Sequence, residues 1–191
     1  MKHPKDLHYY LSPDPQGFGG YEIVIVETSI CINKDSASLA FVVNDFSMGD
    51  GDGHGANILD TSVEIDRTTY NNVFQMFKEL SSDCLRIVEN NTLECGLKKK
   101  IGDCFCRNGC IYKIVGIDSN DYIVSGITID DYDLIIDEVP DEAKPLGLDS
   151  DFINEAPIIA EELYLQVMNK AKSGIKKIIE YLDQEYQIRK K

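Results

Sequence analysis

Between Asp103 and Val115 the chain reads Asp-Cys-Phe-Cys-Arg-Asn-Gly-Cys-Ile-Tyr-Lys-Ile-Val, with Asn108-Gly109 between two alternating runs. Few dipeptides constrain a fold more. Both central residues of a type I′ turn need positive φ, which Gly adopts freely and Asn tolerates well. A two-residue turn also sets the register, placing Arg107 opposite Cys110 and Cys106 opposite Ile111. Because side chains alternate along a strand, Cys106 and Cys110 then point to opposite faces of the sheet.

Turn chemistry recurs at Asp118-Ser119-Asn120-Asp121, and Tyr122–Ile129 and Tyr132–Ile136 supply two further strand-forming runs. The expectation is an antiparallel meander. Upstream, the β-branched run Tyr21–Ile32, the turn residues Asn33–Ser36 and Leu39–Val43 predict an N-terminal β-hairpin. Pro and Gly crowd residues 1–20, which predicts an irregular lead-in in which Tyr9, Tyr10 and Phe18 pack locally.

Asp66 is placed to cap a helix over Arg67 to about Leu80. There Tyr70, Val73, Phe74, Phe77 and Leu80 recur at spacings of three and four. Leu85–Glu89 reads as a short strand. Pro140 and Pro145 mark a linker, and Ser150 or Asp151 leads into a long helical pattern. From Ala160 to Leu182 its apolar positions form one face of a helix, or of two helices broken near Ser173-Gly174. The expected fold class is α+β: an antiparallel sheet of N-terminal hairpin plus C-terminal meander, with a central amphipathic helix and a long C-terminal helix. The expected organisation is an α+β domain over residues 1–139, with a linker and helical segment over 140–191 packed on it.

Charge is unevenly spread. The 191 residues carry a formal net charge of −14, with 33 acids against 19 Lys and Arg. Between Asp118 and Glu162 fourteen acids face one base, Lys144, a local balance of −13. From Lys170 to Lys191 seven bases face three acids, a balance of +4. Such a body repels phosphate backbones and anionic lipid heads, so direct binding of nucleic acid or a membrane is not expected. No apolar run approaches the roughly 20 residues of a membrane helix. No signal-peptide core stands near the start. The expected compartment is the cytoplasm, where the six cysteines stay reduced.

Three constellations invite chemistry. Asp50, Asp52 and His54 lie two residues apart on a Gly-rich stretch, like the opening of an EF-hand loop, but the twelfth position is Thr61 rather than a bidentate Glu. They are the candidate metal ligands. Cys104, Cys106 and Cys110, with Cys95 upstream, lack the knuckle spacing of zinc sites and are divided by the hairpin geometry. His3, His8 and His54 are the only imidazoles, and no nucleophile, phosphate or dinucleotide motif is present. No catalytic residue or cofactor is assigned.

The function expected from this pattern is a non-enzymatic acidic protein that binds and blocks or regulates a basic protein partner, in the manner of an immunity protein or a phage-encoded inhibitor. Asp130, Asp131, Asp133, Asp137, Glu138, Asp141 and Glu142 are its candidate contact residues. Two alternatives stand beside it. One is a metal-dependent or cysteine-based enzyme using the Asp50–His54 loop; the other is a homo-oligomeric structural protein joined through its C-terminal helix.

Overall fold

The computed structural model describes residues 6–13, 20–28, 37–49, 61–89, 98–118, 121–137 and 146–191. The fold is α+β, and the chain divides into two compact units, Met1–Lys78 with Gly174–Lys191, and Glu79–Ser173. Two helices, α1 (Arg67–Glu89) and α3 (Glu161–Arg189), each run through both units.

The first unit holds strands β1 (Asp6–Pro13), β2 (Gly20–Thr28), β3 (Ala37–Asn44), β4 (Ser47–Gly49) and β5 (Val63–Ile65). They pair antiparallel in the order β4-β3-β2-β1-β5. β2 and β3 pair as the predicted hairpin requires, while its expected strand end Ser29–Ile32 and turn Asn33–Ser36 lie outside the described residues. Leu11, Ile23 and Phe41 stand in register across three strands and are buried, and the Phe41 ring meets Phe77 of α1 edge-on at 5.9 Å. Burying side chains of this size contributes roughly 1.5–3 kcal/mol each.

Asp66 caps α1 as its sequence position predicts: Thr69 N–H donates to Asp66 Oδ1 at 2.8 Å. Arg189 then ties this cap to the last turns of α3, reaching Asp66 at 3.0 Å and Glu185 at 3.1 Å. The Thr69 N–H bond, followed by Arg189, holds the Asp66 carboxyl below its ordinary range. Tyr21 donates to Asp183 of α3 at 2.6 Å, and burial followed by that carboxylate pushes its phenol up.

The second unit holds the meander: β6 (Cys104–Arg107), β7 (Cys110–Asp118), β8 (Asp121–Ile129) and β9 (Asp133–Asp137). β10 (Leu146–Asp149), the short helix α2 (Ser150–Asn154) and β11 (Ile158–Ile159) complete it. β11 pairs with β6, while β9 and β10 pair with successive halves of β8. Ile111, Ile127 and Ile136 stand in register on one face, all buried. On the other, Phe105, Tyr112, Ile114, Tyr122 and Val124 form a core closed by Ile153 and Ala156.

Three segments differ from expectation. Asp6–Pro13 is a paired strand rather than an irregular lead-in, because Tyr9 and Leu11 alternate with outward residues and are buried, and proline is tolerated at a strand end. Leu85–Glu89 is not a strand but the end of α1: Val73, Phe77, Leu80, Cys84 and Val88 are all buried and continue one helical stripe without a breaker. Finally, α3 is unbroken at Gly174. A helical glycine costs roughly 0.5–1 kcal/mol relative to alanine, too little to interrupt a helix with a buried face. That face, including Val167, Ala171, Ile175, Ile178 and Leu182, is buried within this chain.

Candidate docking surface

The Asn108-Gly109 turn forms with the predicted register, Arg107 opposite Cys110 and Cys106 opposite Ile111. Asn108 has φ 50° and Gly109 φ 79°. Gly109 is required twice over, because a Cβ there would also run into the carbonyl oxygen of Ile129. Ile129 N–H donates to Gly109 C=O at 3.0 Å, so this turn lies directly beside the start of the next one.

That next turn, Asp130–Asp133, is built by a side chain. Asp130 Oδ1 accepts the N–H groups of Tyr132 and Asp133, each at 2.7 Å, and Asp130 N–H donates to Asp133 C=O at 2.9 Å. Asp130 therefore folds the backbone. Asp131 is exposed at the tip, and Tyr132, which the sequence placed at the head of the strand, stands outside it with 62% of its surface exposed. Ile135 lies outward on β9 with 39% exposed, between the half-buried Asp133 and Asp137.

Asp137 has a structural task too. Gly126 faces both Tyr112 and Asp137 across β8, and a Cβ there would strike the Ile111 carbonyl and come within 2.7 Å of the Tyr112 ring. With that space open, the Tyr112 hydroxyl donates to Asp137 Oδ2 at 2.7 Å and lies 2.5 Å from Thr128 Oγ1. Burial, reinforced by Asp137, raises the Tyr112 phenol well above its ordinary range. Of the seven acids singled out by sequence, Asp130, Asp131, Asp133 and Asp137 come together on the β8–β9 hairpin. Glu138, Asp141 and Glu142 lie outside the described residues, as do the metal-ligand candidates Asp50, Asp52 and His54.

The thiols of Cys84, Cys104, Cys106 and Cys110 form no disulfides. Burial pushes Cys84 up to about 12 and Cys104 up to about 11, and raises Cys110 in the same direction. A thiol held protonated is a poor nucleophile. His8, on β1, pairs with Glu64 at 2.9 Å. Among the described residues no group of three or more His, Cys, Asp or Glu side chains is arranged to hold a metal ion, and no described helix is long and apolar enough to cross a membrane.

Sequence reasoning missed a cleft of about 540 Å³ lined in part by the Asn108-Gly109 turn. Its apolar side is Leu85 and Pro157, backed by the buried Val88 and Ile111; Cys106, Arg107, Asn108, Gly109, Glu89 and Glu155 complete it. Arg107 is already committed, donating to Phe152 C=O and to Glu155 Oε2, both at 2.8 Å, with its guanidinium 4.8 Å from the Phe152 ring centre. No sequence spacing announces this cleft, since its walls come from three separated segments. Tyr132 did carry a signal: an aromatic among three acids at a hairpin tip is a poor core residue. Comparison with protein families, with curated proteins and with solved structures finds no match to this chain.

Proposed function

We propose that this is a non-enzymatic interaction protein that binds a basic protein partner and blocks or regulates it, using the tip of the β8–β9 hairpin. The observation that carries the reading is Tyr132, a large aromatic side chain 62% exposed within an acidic turn. Exposed aromatics surrounded by charge are typical anchors of interfaces, where the ring supplies contact area and the charges supply steering. Asp131 beside it and Ile135 on β9 are further exposed side chains of the same hairpin. Because Asp130 holds the turn backbone and Asp137 holds Tyr112, the most informative substitution is at the exposed Tyr132, combined with charge reversal at the neighbouring Asp131.

The test is a paired capture from native-host extract, with the wild-type protein and an Asp131→Lys/Tyr132→Ala variant as baits, eluted by salt and read by mass spectrometry. A basic protein retained by the wild type, released by salt and lost from the variant is the expected result. Identical capture by both baits overturns the reading.

A further inference from the structure

The cleft beside the Asn108-Gly109 turn has the chemistry of a receptor for a long aliphatic side chain ending in a cation, and we infer that it receives a lysine or arginine of the partner that docks on the acidic turn. The identity of the donor rests on the proposed function; the chemistry of the cleft does not. Its volume, about 540 Å³, falls in the range of ligand pockets. Leu85 and Pro157, both partly exposed, offer apolar surface along which a methylene stem can lie, backed by the buried Val88 and Ile111, as Lys and Arg stems do on apolar surface.

The electrostatics choose the sign of the head group. Among the described lining residues Glu89 and Glu155 stand with a single cation, Arg107, which already serves Glu155 and the Phe152 carbonyl. Glu155 meets Arg107 through Oε2 and is 70% exposed, so its carboxylate is accessible to a second cation. The C-terminal end of α1, the negative pole of the helix dipole, lies at this wall through Leu85, Val88 and Glu89. An anionic ligand meets two carboxylates and a dipole of the wrong sign.

Position supplies the link to the docking turn. Asn108 and Gly109 line the cleft, and Gly109 C=O accepts the N–H of Ile129, the residue before Asp130. One two-residue turn therefore separates the cleft from Asp131 and Tyr132. A partner that docks on the acidic turn and fills the cleft has to cross the Asn108-Gly109 turn.

The probes are N-acetyl-L-arginine amide, N-acetyl-L-lysine amide and N-acetyl-L-norleucine amide, titrated into the full chain and followed by ¹H–¹⁵N spectra. Saturable shifts of the Glu89, Cys106, Asn108 and Gly109 amides with both cationic probes are expected. Norleucine amide, which keeps the stem and drops the charge, should bind about tenfold more weakly, as should arginine amide to a folded Glu89→Gln/Glu155→Gln variant. Absence of saturable shifts, or equal affinity for norleucine amide, overturns the inference. The two proposals fail separately. Loss of the partner from the Tyr132 variant without probe binding removes the cleft and leaves the turn; probe saturation with unchanged partner capture removes the turn and leaves the cleft's cation chemistry.

Discussion

Two turns meet at one end of the second unit and are made by different means. Asn108-Gly109 is held by backbone conformation, with two positive φ values and a glycine pressed against the Ile129 carbonyl. Asp130–Asp133 is held by one carboxylate oxygen accepting two backbone N–H groups. In the first turn the residue types are demanded by the fold. In the second the cap is Asp130, and the fold makes no comparable demand for an aromatic ring at Tyr132, which stands mostly in solvent. The contrast separates an acid that builds the turn, Asp130, from an exposed ring, Tyr132, that the turn does not require, a division that local charge balance alone does not make.

The contrast breaks most visibly at Gly109. Gly109→Ala forces an L side chain to φ 79° and into a carbonyl oxygen. The left-handed conformation alone costs roughly 1–2 kcal/mol, so a fall in the denaturation midpoint of at least that equivalent is expected. A neutral result would mean that the turn is not type I′. Asp130→Ala removes two backbone hydrogen bonds from an exposed turn, and a smaller loss of about 0.5–1.5 kcal/mol is expected in the same measurement.

The same device, a carboxylate bonded to the backbone, operates at Asp66, where the charge can be separated from the cap. Asp66→Asn keeps an acceptor for Thr69 N–H and removes the ion pair with Arg189. The folded-state carboxyl is held below its ordinary value, so its contribution is present at neutral pH, above the unfolded pKa, and is lost as pH falls through the folded one. Thermal melts from neutral pH down to about pH 2 should therefore show the wild type ahead of Asp66→Asn at neutrality and the two converging in acid. A gap that does not depend on pH would show that the carboxylate's charge contributes nothing. The smallest stability effect is expected at Tyr132→Ala, within about 0.5 kcal/mol for an exposed side chain away from caps and core.

How much could be read from the chain follows from where its constraints are local. The Asn-Gly hairpin, the Asp66 cap and the pairing of β2 with β3 depend on neighbours in sequence, and they form as expected. Leu85–Glu89 was misread because a short apolar run has no period of its own; only the stripe from Val73 shows it to be helix. β1 was hidden by the prolines and glycines that follow it, although Tyr9 and Leu11 carry the strand alternation. At the candidate site the acidic run was legible. The division of labour within it was not, because Tyr112 reaches Asp137 only across Gly126, a contact set by register over three strands. The cleft is assembled from residues near 88, 108 and 156, and no local pattern encodes that meeting.

We propose that the tip of the β8–β9 hairpin recruits a basic protein by charge and anchors it by an aromatic ring. Association kinetics of the captured partner against ionic strength, for wild type and the Asp131→Lys/Tyr132→Ala variant matched for thermal stability, test it directly. The wild-type rate should fall steeply with salt, while the variant associates more slowly and with a flatter dependence. Equal rates and equal salt slopes would contradict it.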